Sequence, residues 1–278
     1  MANSRAVTSP YQQLYYNAFK LEFDTGKAGR PQGTGFLFEF DIYENGGLIC
    51  LVTAGHCVPA IGTVKFSLPT RTADDLVDID QRLEFEVAAS AFLRHPDSSV
   101  DLAIALLGPQ INMYVQRGAW PHLQSWSLAG VHPVQDLAAL DWVERLYFVG
   151  CPSGWYDDVN FLPVVRRATT ATPIHINYKG RSEFLIDAHV FKGSSGSPVI
   201  LVDQDRDWVK LPNDKWHGRT ALLGILVRSI EDRLGSEIGL GECVRADRLL
   251  DFIPLLVEKS GHENLKSRWV TAQEDTHG

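Results

Sequence analysis

FLFEFDI, residues 36 to 42, sets Phe36, Phe38, Phe40 and Ile42 at alternate positions, with Leu37, Glu39 and Asp41 between them. Successive side chains of an extended chain point to opposite faces, so a period of two with large apolar groups on one side specifies a strand that buries that side. The same rhythm recurs further along. Val64, Phe66 and Leu68 alternate with Thr63, Lys65 and Ser67, and Leu83, Phe85 and Val87 with Arg82, Glu84 and Glu86. These read as half-buried antiparallel strands. The more continuous apolar runs at 48–53, 102–107, 198–202 and 221–227 read as strands covered on both faces.

Twelve strands are expected in two equal groups. The first comprises 15–23, 35–42, 48–53, 62–68, 82–89 and 102–107; the second comprises 144–150, 162–170, 183–189, 198–203, 220–228 and 237–245. Two groups of six imply an all-β chain, a double six-stranded antiparallel β-barrel with a C-terminal helix. The expected division is an arm at 1–14, a first barrel at 15–110, an irregular connection at 111–142, a second barrel at 143–245, a helix at 246–260 and a polar tail at 261–278. In the helix Leu249, Leu250, Ile253, Leu256 and Val257 share a face, with Asp247 placed to cap it and Pro254 placed to kink or split it. Gly33-Thr34-Gly35 and Gly46-Gly47 lack the strand-before, helix-after setting of a dinucleotide loop and read as turns.

Composition narrows the function. The 278 residues are 45% hydrophobic and 22% charged, an ordinary globular balance, and the formal net charge of -8 offers no basic field for nucleic acid or an anionic membrane. The N-terminal MANSRAVTSPYQQ has no apolar core of the secretory kind, and no apolar run reaches the length of a membrane helix. A soluble, cytoplasmic protein without nucleic-acid or membrane partners is therefore expected. Cys50, Cys57, Cys151 and Cys243 form no CxxC pair, and Cys50 and Cys57 flank one strand too far apart to bridge. Free thiols in a reducing compartment follow, with no metal and no other cofactor.

Three segments carry the chemistry: LVTAGHCV at 51–58, HPDSSVDLAIALL at 95–107 and FKGSSGSP at 191–198. Alone, His56 reads as a loop histidine, Asp101 as a turn-capping carboxylate and the serine-glycine run as a flexible turn. Together, as Thr53-Ala54-Gly55-His56-Cys57, Asp101-Leu102-Ala103-Ile104-Ala105-Leu106 and Gly193-Ser194-Ser195-Gly196-Ser197-Pro198, they resemble the chymotrypsin- or trypsin-like serine peptidases. That family's motifs are TAxHC, a DxAL-type run and GxSGxP, in the order His, Asp, Ser. The resemblance covers about residues 15 to 257 and implies the double barrel that the strand count reaches independently. It implies Ser195 as nucleophile, His56 as general base and acid, Asp101 as the group that fixes the imidazole, and the Gly193 and Ser195 amides as oxyanion hole. A serine hydroxyl needs such a base, and imidazole titrates near working pH.

Three departures matter. Ser194 stands where many relatives carry an aspartate that pairs with a cleaved N-terminus, so the site is expected to order without processing. The strand LLGILVRS, 222–229, resembles the family's substrate-backing strand, but Val227 stands where a serine often supports the aspartate. Either Asp101 has another donor or the register differs by two. The substrate-binding set near the nucleophile is His189, Val190, Lys192, Val227 and Arg228. His189 replaces the acidic pocket floor that binds Lys or Arg, so an acidic or neutral polar side chain is the expected preference; the alternative is that these cations only solvate loop edges. The resemblance thus implies a bacterial-type serine endopeptidase acting on protein or peptide substrates through an acyl-enzyme. It is either constitutive or opened by an activating partner protein, for which 108–142 and the insertion around Trp208 and Trp216 are candidate docking segments. A catalytically silent scaffold or peptide-binding module is the alternative.

Overall fold

The computed structural model describes residues 4–24, 32–44, 46–203 and 219–260. The insertion carrying Trp208 and Trp216 and the tail from His262 lie outside the described residues. The first sheet holds β1 (Ser4–Arg5), β2 (Ala18–Asp24), β3 (Gln32–Tyr43), β4 (Gly46–Ala54), β5 (Thr63–Arg71), β6 (Val77–Ala88), β7 (Leu93–Arg94), β8 (Leu102–Leu106) and β9 (Ser125–Ser127). The second holds β10 (Arg145–Gly150), β11 (Val164–Thr170), β12 (Glu183–Asp187), β13 (Pro198–Asp203), β14 (Arg219–Glu231) and β15 (Glu237–Arg245).

The second group closes as expected, into a six-stranded barrel of order β10-β11-β12-β15-β14-β13. The first does not close, so the expected double barrel is shown only in its second half. The first group is a nine-stranded sheet of order β1-β6-β5-β2-β3-β4-β8-β7, with β9 added in parallel beside β3. Closure requires the two edge strands to pair along their length. Here the edges are β1 and β7, two residues each, which pair with β6 and β8 and not with each other.

β3 explains how the halves join. Its alternating face, Phe36, Phe38, Phe40 and Ile42, packs in one buried cluster with Val149, Ile200, Ile225, Val227 and Val244 of the barrel. Its other face sends Leu37 into the first sheet's own core, with Leu21, Leu51 and the stacked rings of Phe19, Phe66 and Phe85. The phenylalanine face is covered by the second sheet, and on the other face Leu37 is buried as well while Glu39 and Asp41 are half-buried. The Gly33-Thr34-Gly35 segment, read as a turn, lies inside β3. Glycine is needed at 35 for close approach: a Cβ there would sit 2.6 Å from Leu51 Cδ1 and 3.0 Å from Leu21 Cδ1.

The connection after β8 is more regular than expected. Its helices are α2 (Gly108–Gln116) and α3 (Val134–Leu137), the latter burying Leu137 against the barrel core, while α1 (Pro10–Gln13) lies in the N-terminal arm. The C-terminal helix is split, as Pro254 suggested: a 3-10 segment, Ala246–Phe252, runs into α4 (Ile253–Ser260). Pro254 stands in the first turn of α4, where its missing N–H is not needed. Asp247 does not cap. It is buried at 4% exposure and pairs with Arg245 and Arg248, both at 3.3 Å.

Phe184 is fully buried in the barrel core. Phe184→Ala is expected to cost about 3–5 kcal/mol in urea unfolding, the usual loss for a buried ring with no atoms free to refill its space.

Candidate active site

His56 follows β4 directly, in the single 3-10 turn Gly55–Cys57. Arg94 of β7 clamps that turn, donating Nη1 to the Gly55 carbonyl at 2.7 Å and Nη2 to the Val58 carbonyl at 3.0 Å. Asp101 directly precedes β8, and pairing of Ala54 with Leu102 brings its start beside the end of β4. The Gly55 amide donates to the Asp101 carbonyl at 3.0 Å. One Asp101 carboxylate oxygen accepts the His56 backbone N–H at 2.8 Å, and the other meets His56 Nδ1 at 2.6 Å. The second donor to Asp101 is therefore the His56 amide, which explains how the site dispenses with a serine at 227. The Asp101 hydrogen bond, then the Cys57 contact, pushes the imidazole up to about 10 against the opposing effect of burial. Burial alone would raise Asp101; the His56 hydrogen bonds and the nearby His56 and Arg228 charges hold it below the usual carboxylate range instead.

The loop bearing Ser195 is fixed carbonyl by carbonyl. Phe191 O accepts from Ser194 N at 3.0 Å, Lys192 O from Ser153 N at 2.5 Å, Ser194 O from Ser197 N at 3.0 Å and Ser195 O from Thr34 N at 3.0 Å. Gly193 O accepts from the Thr34 hydroxyl at 2.8 Å. Gly193 and Gly196 adopt φ of 86° and 91°, left-handed geometry that disfavours any side chain. Of the N–H groups from Gly193 to Ser197, those of Ser194, Gly196 and Ser197 have backbone acceptors, whereas those of Gly193 and Ser195 find none among the described residues. Two donors are thus left for something else.

The Ser195 hydroxyl does not meet His56. It donates to the Val227 carbonyl at 3.0 Å, while His56 Nε2 lies 3.6 Å from Cys57 Sγ.

The substrate-binding residues expected from sequence divide. Val190, 3% exposed, packs in the barrel core, and Val227, fully buried, packs between the two sheets, so as side chains both are core residues. Val190 points inward between the exposed His189 and Phe191, whereas β14 is covered on both faces at Leu226 and Val227, one in the barrel core and the other between the sheets. His189, Lys192 and Arg228 are exposed. Arg228 is not a free cation; its Nε pairs with the buried Glu242, which also holds Arg181. Burial, then hydrogen bonding to Glu242, pushes the neighbouring Glu183 up to about 7. Beside these groups β14 offers an edge. β13 pairs with β14 only as far as Ile225, whereas β14 continues to Glu231 against β15. On the vacated side the Ser195 loop takes over at Leu226, whose carbonyl accepts from Gly196 N at 2.8 Å and whose amide donates to Ser197 O at 2.9 Å. Beyond it the edge is open among the described strands, next to Ser195.

The sequence of residues 33–209 matches the family model of the trypsin-like peptidase domain. The chain belongs to the trypsin-like peptidase family. No curated protein matches it. Among solved structures, the HtrA-type protease AlgW with a tripeptide is similar at 14% identity and a TM-score of 0.51, over 91% of this chain and 65% of that one. This trypsin-like peptidase domain thus spans just under two thirds of that neighbour's length. Two others are a structure titled GrC, 14% identical at a TM-score of 0.49 over 94% and 100% of the two chains, and the thermostable serine protease AL20 from an extremophilic microorganism. The latter is 14% identical at a TM-score of 0.47, over 87% and 98%. At such identities the likeness is one of fold.

Sequence reading of this trypsin-like peptidase domain missed Thr34, Arg94 and Glu242. Arg94 and Glu242 act through contacts distant in the chain and carry no local motif. All four cysteines are free, and burial pushes Cys151 up to about 12.

Because His56 titrates higher folded than unfolded, its pairing with Asp101 contributes stability that is complete below about pH 6.5, the ordinary imidazole value, and is lost as pH rises through about 10. The urea midpoint of wild type relative to His56→Gln should therefore fall over that window. In NMR titration the His56 ring should protonate well above 6.5 and shift downward in Asp101→Asn.

Proposed function

We propose that this protein is a serine endopeptidase that cleaves peptide bonds through Ser195, His56 and Asp101. The observation that carries the reading is the pair of unsatisfied amides at Gly193 and Ser195 beside a serine hydroxyl, in a loop whose carbonyls from Phe191 to Ser195 are engaged elsewhere. An extended substrate adds to the open edge of β14, supplying the pairing that β13 abandons at Ile225. The Ser195 hydroxyl turns from Val227 to His56 Nε2, gives up its proton there, and attacks the carbonyl carbon. The carbonyl oxygen, now anionic, accepts hydrogen bonds from the Gly193 and Ser195 amides. His56 returns its proton to the leaving amine, the C–N bond breaks, and an ester on Ser195 remains. Water, deprotonated by His56, then hydrolyses that ester. Asp101 stabilises the imidazolium through Nδ1 at 2.6 Å.

Ser194 supports activity without N-terminal processing. It is 1% exposed and carries no carboxylate to hold a released amine. The substrate class is protein or peptide, with an acidic or neutral polar side chain before the scissile bond, since His189 and Lys192 supply no anion to receive Lys or Arg. A second reading, a form gated by an activating partner, is favoured by the Ser195 hydroxyl resting on Val227 in place of His56.

Hydrolysis of a peptide library tests the proposal. Ser195→Ala is expected to lower kcat by at least about 10⁴-fold and Asp101→Asn by about 10⁴-fold. The acidic limb of kcat/KM should lie above 6.5 and extend toward pH 10, since only neutral imidazole takes the proton. A cleavage profile dominated by Arg or Lys would contradict the substrate class. Turnover appearing only when cell lysate is added, and still lost in Ser195→Ala, would select the gated reading.

A further inference from the structure

Thr34 is fully buried on β3, in the opposite sheet from the Ser195 loop. Its hydroxyl donates to Gly193 O at 2.8 Å and accepts from Cys151 N at 3.0 Å. Its amide donates to Ser195 O at 3.0 Å, and its own carbonyl accepts from the buried Thr53 hydroxyl at 2.8 Å. A hydroxyl has one proton to donate and lone pairs to accept with, and here both capacities are spent on main chain. Two glycines make room for this residue: a Cβ on Gly196 would collide with the Thr34 carbonyl, and one on Gly150 would lie 2.7 Å from Thr34 Oγ1. Gly193, at φ 86°, presents its carbonyl to the hydroxyl.

The carbonyls that Thr34 holds belong to the peptides on either side of the 194–195 unit. Fixing Gly193 O sets the plane after residue 193, and fixing Ser195 O sets the plane after residue 195. Between them, the Ser195 amide has little freedom to rotate. Cys151 N, on the same hydroxyl, precedes the Ser153 amide that holds Lys192 O and so orients the Gly193 N–H.

We infer that Thr34 is a positioning residue of the nucleophile loop, whose hydroxyl and amide hold the Gly193 and Ser195 N–H groups in line across the two sheets. The inference rests on the reading of Ser195 as nucleophile. Thr34 touches no reacting atom; it acts through the loop.

Thr34→Val keeps the shape and removes the hydroxyl, while Thr34→Ser keeps the hydroxyl. Two measurements test them. On a peptide ester, Thr34→Val is expected to lower kcat by about 10- to 100-fold, up to the loss seen on removing one oxyanion donor, with KM within about twofold. Thr34→Ser should restore kcat to within about threefold of wild type, because the same hydroxyl is present. Amide hydrogen exchange, which needs no turnover, should show faster exchange of the segment 191–197 in Thr34→Val, with the strands of the barrel unchanged and Thr34→Ser like wild type. Exchange in 191–197 equal to wild type in Thr34→Val overturns the inference. So does a loss of protection spread evenly over both sheets, or a Thr34→Ser variant as impaired as Thr34→Val. A wild type without turnover both alone and with added cell lysate contradicts the peptidase reading and leaves the exchange experiment to decide the role of Thr34.

Discussion

The loop that carries Ser195 is tied to the first sheet by the Thr34 amide on the Ser195 carbonyl at 3.0 Å. His56 and Asp101 stand on the first sheet, at the end of β4 and the start of β8, and Ser195 stands at the head of β13 in the second. Nothing covalent near the site links them, so their spacing is set by how the sheets pack. The apolar seam beneath, Phe36, Phe38, Phe40 and Ile42 against Val149, Ile200 and Ile225, presses the sheets together without specifying register at atomic precision. Directional hydrogen bonds at the rim supply that precision.

Electrostatics then sets the chemistry. Asp101 spends both carboxylate oxygens on His56, through its amide and its ring, so the aspartate aligns the imidazole and raises its proton affinity together. An imidazole held this way is strongly basic when neutral and scarce in that form at neutral pH. Farther along β14, Arg228 belongs with Arg181 to an ion network around the buried Glu242, which rules out treating it as a bare positive charge aimed at substrate.

Much of the fold and the site was legible in the sequence, for physical reasons that also mark the limits. Period-two alternation located β3, β5 and β6 because burial of one face is written residue by residue. The three motif segments located His56, Asp101 and Ser195 because each sits where a strand meets a tight turn of defined composition. Pro254 announced the split in the C-terminal helix through its missing N–H. Openness of the first sheet was not legible: it turns on whether two short edges meet, which neither edge encodes alone. Thr34 was hidden for a related reason. Its partners are main-chain groups of Gly193, Ser195 and Cys151, and a glycine-threonine-glycine run looks like a turn until a second sheet is seen to approach it. Val190 is a substrate candidate by proximity to Ser195 in sequence and Val227 by the resemblance of its strand, but both side chains pack in the core, which neither signal reports.

The central claim is that the Ser195 hydroxyl becomes a nucleophile when it turns toward His56. The most direct measurement is intact-mass analysis after exposure to a fluorophosphonate at pH 9, with peptide mapping of the modified residue. The account predicts one adduct per chain, on Ser195, forming more slowly at pH 6 and absent in His56→Gln. No adduct at pH 9, or an adduct that maps to another serine, would contradict it.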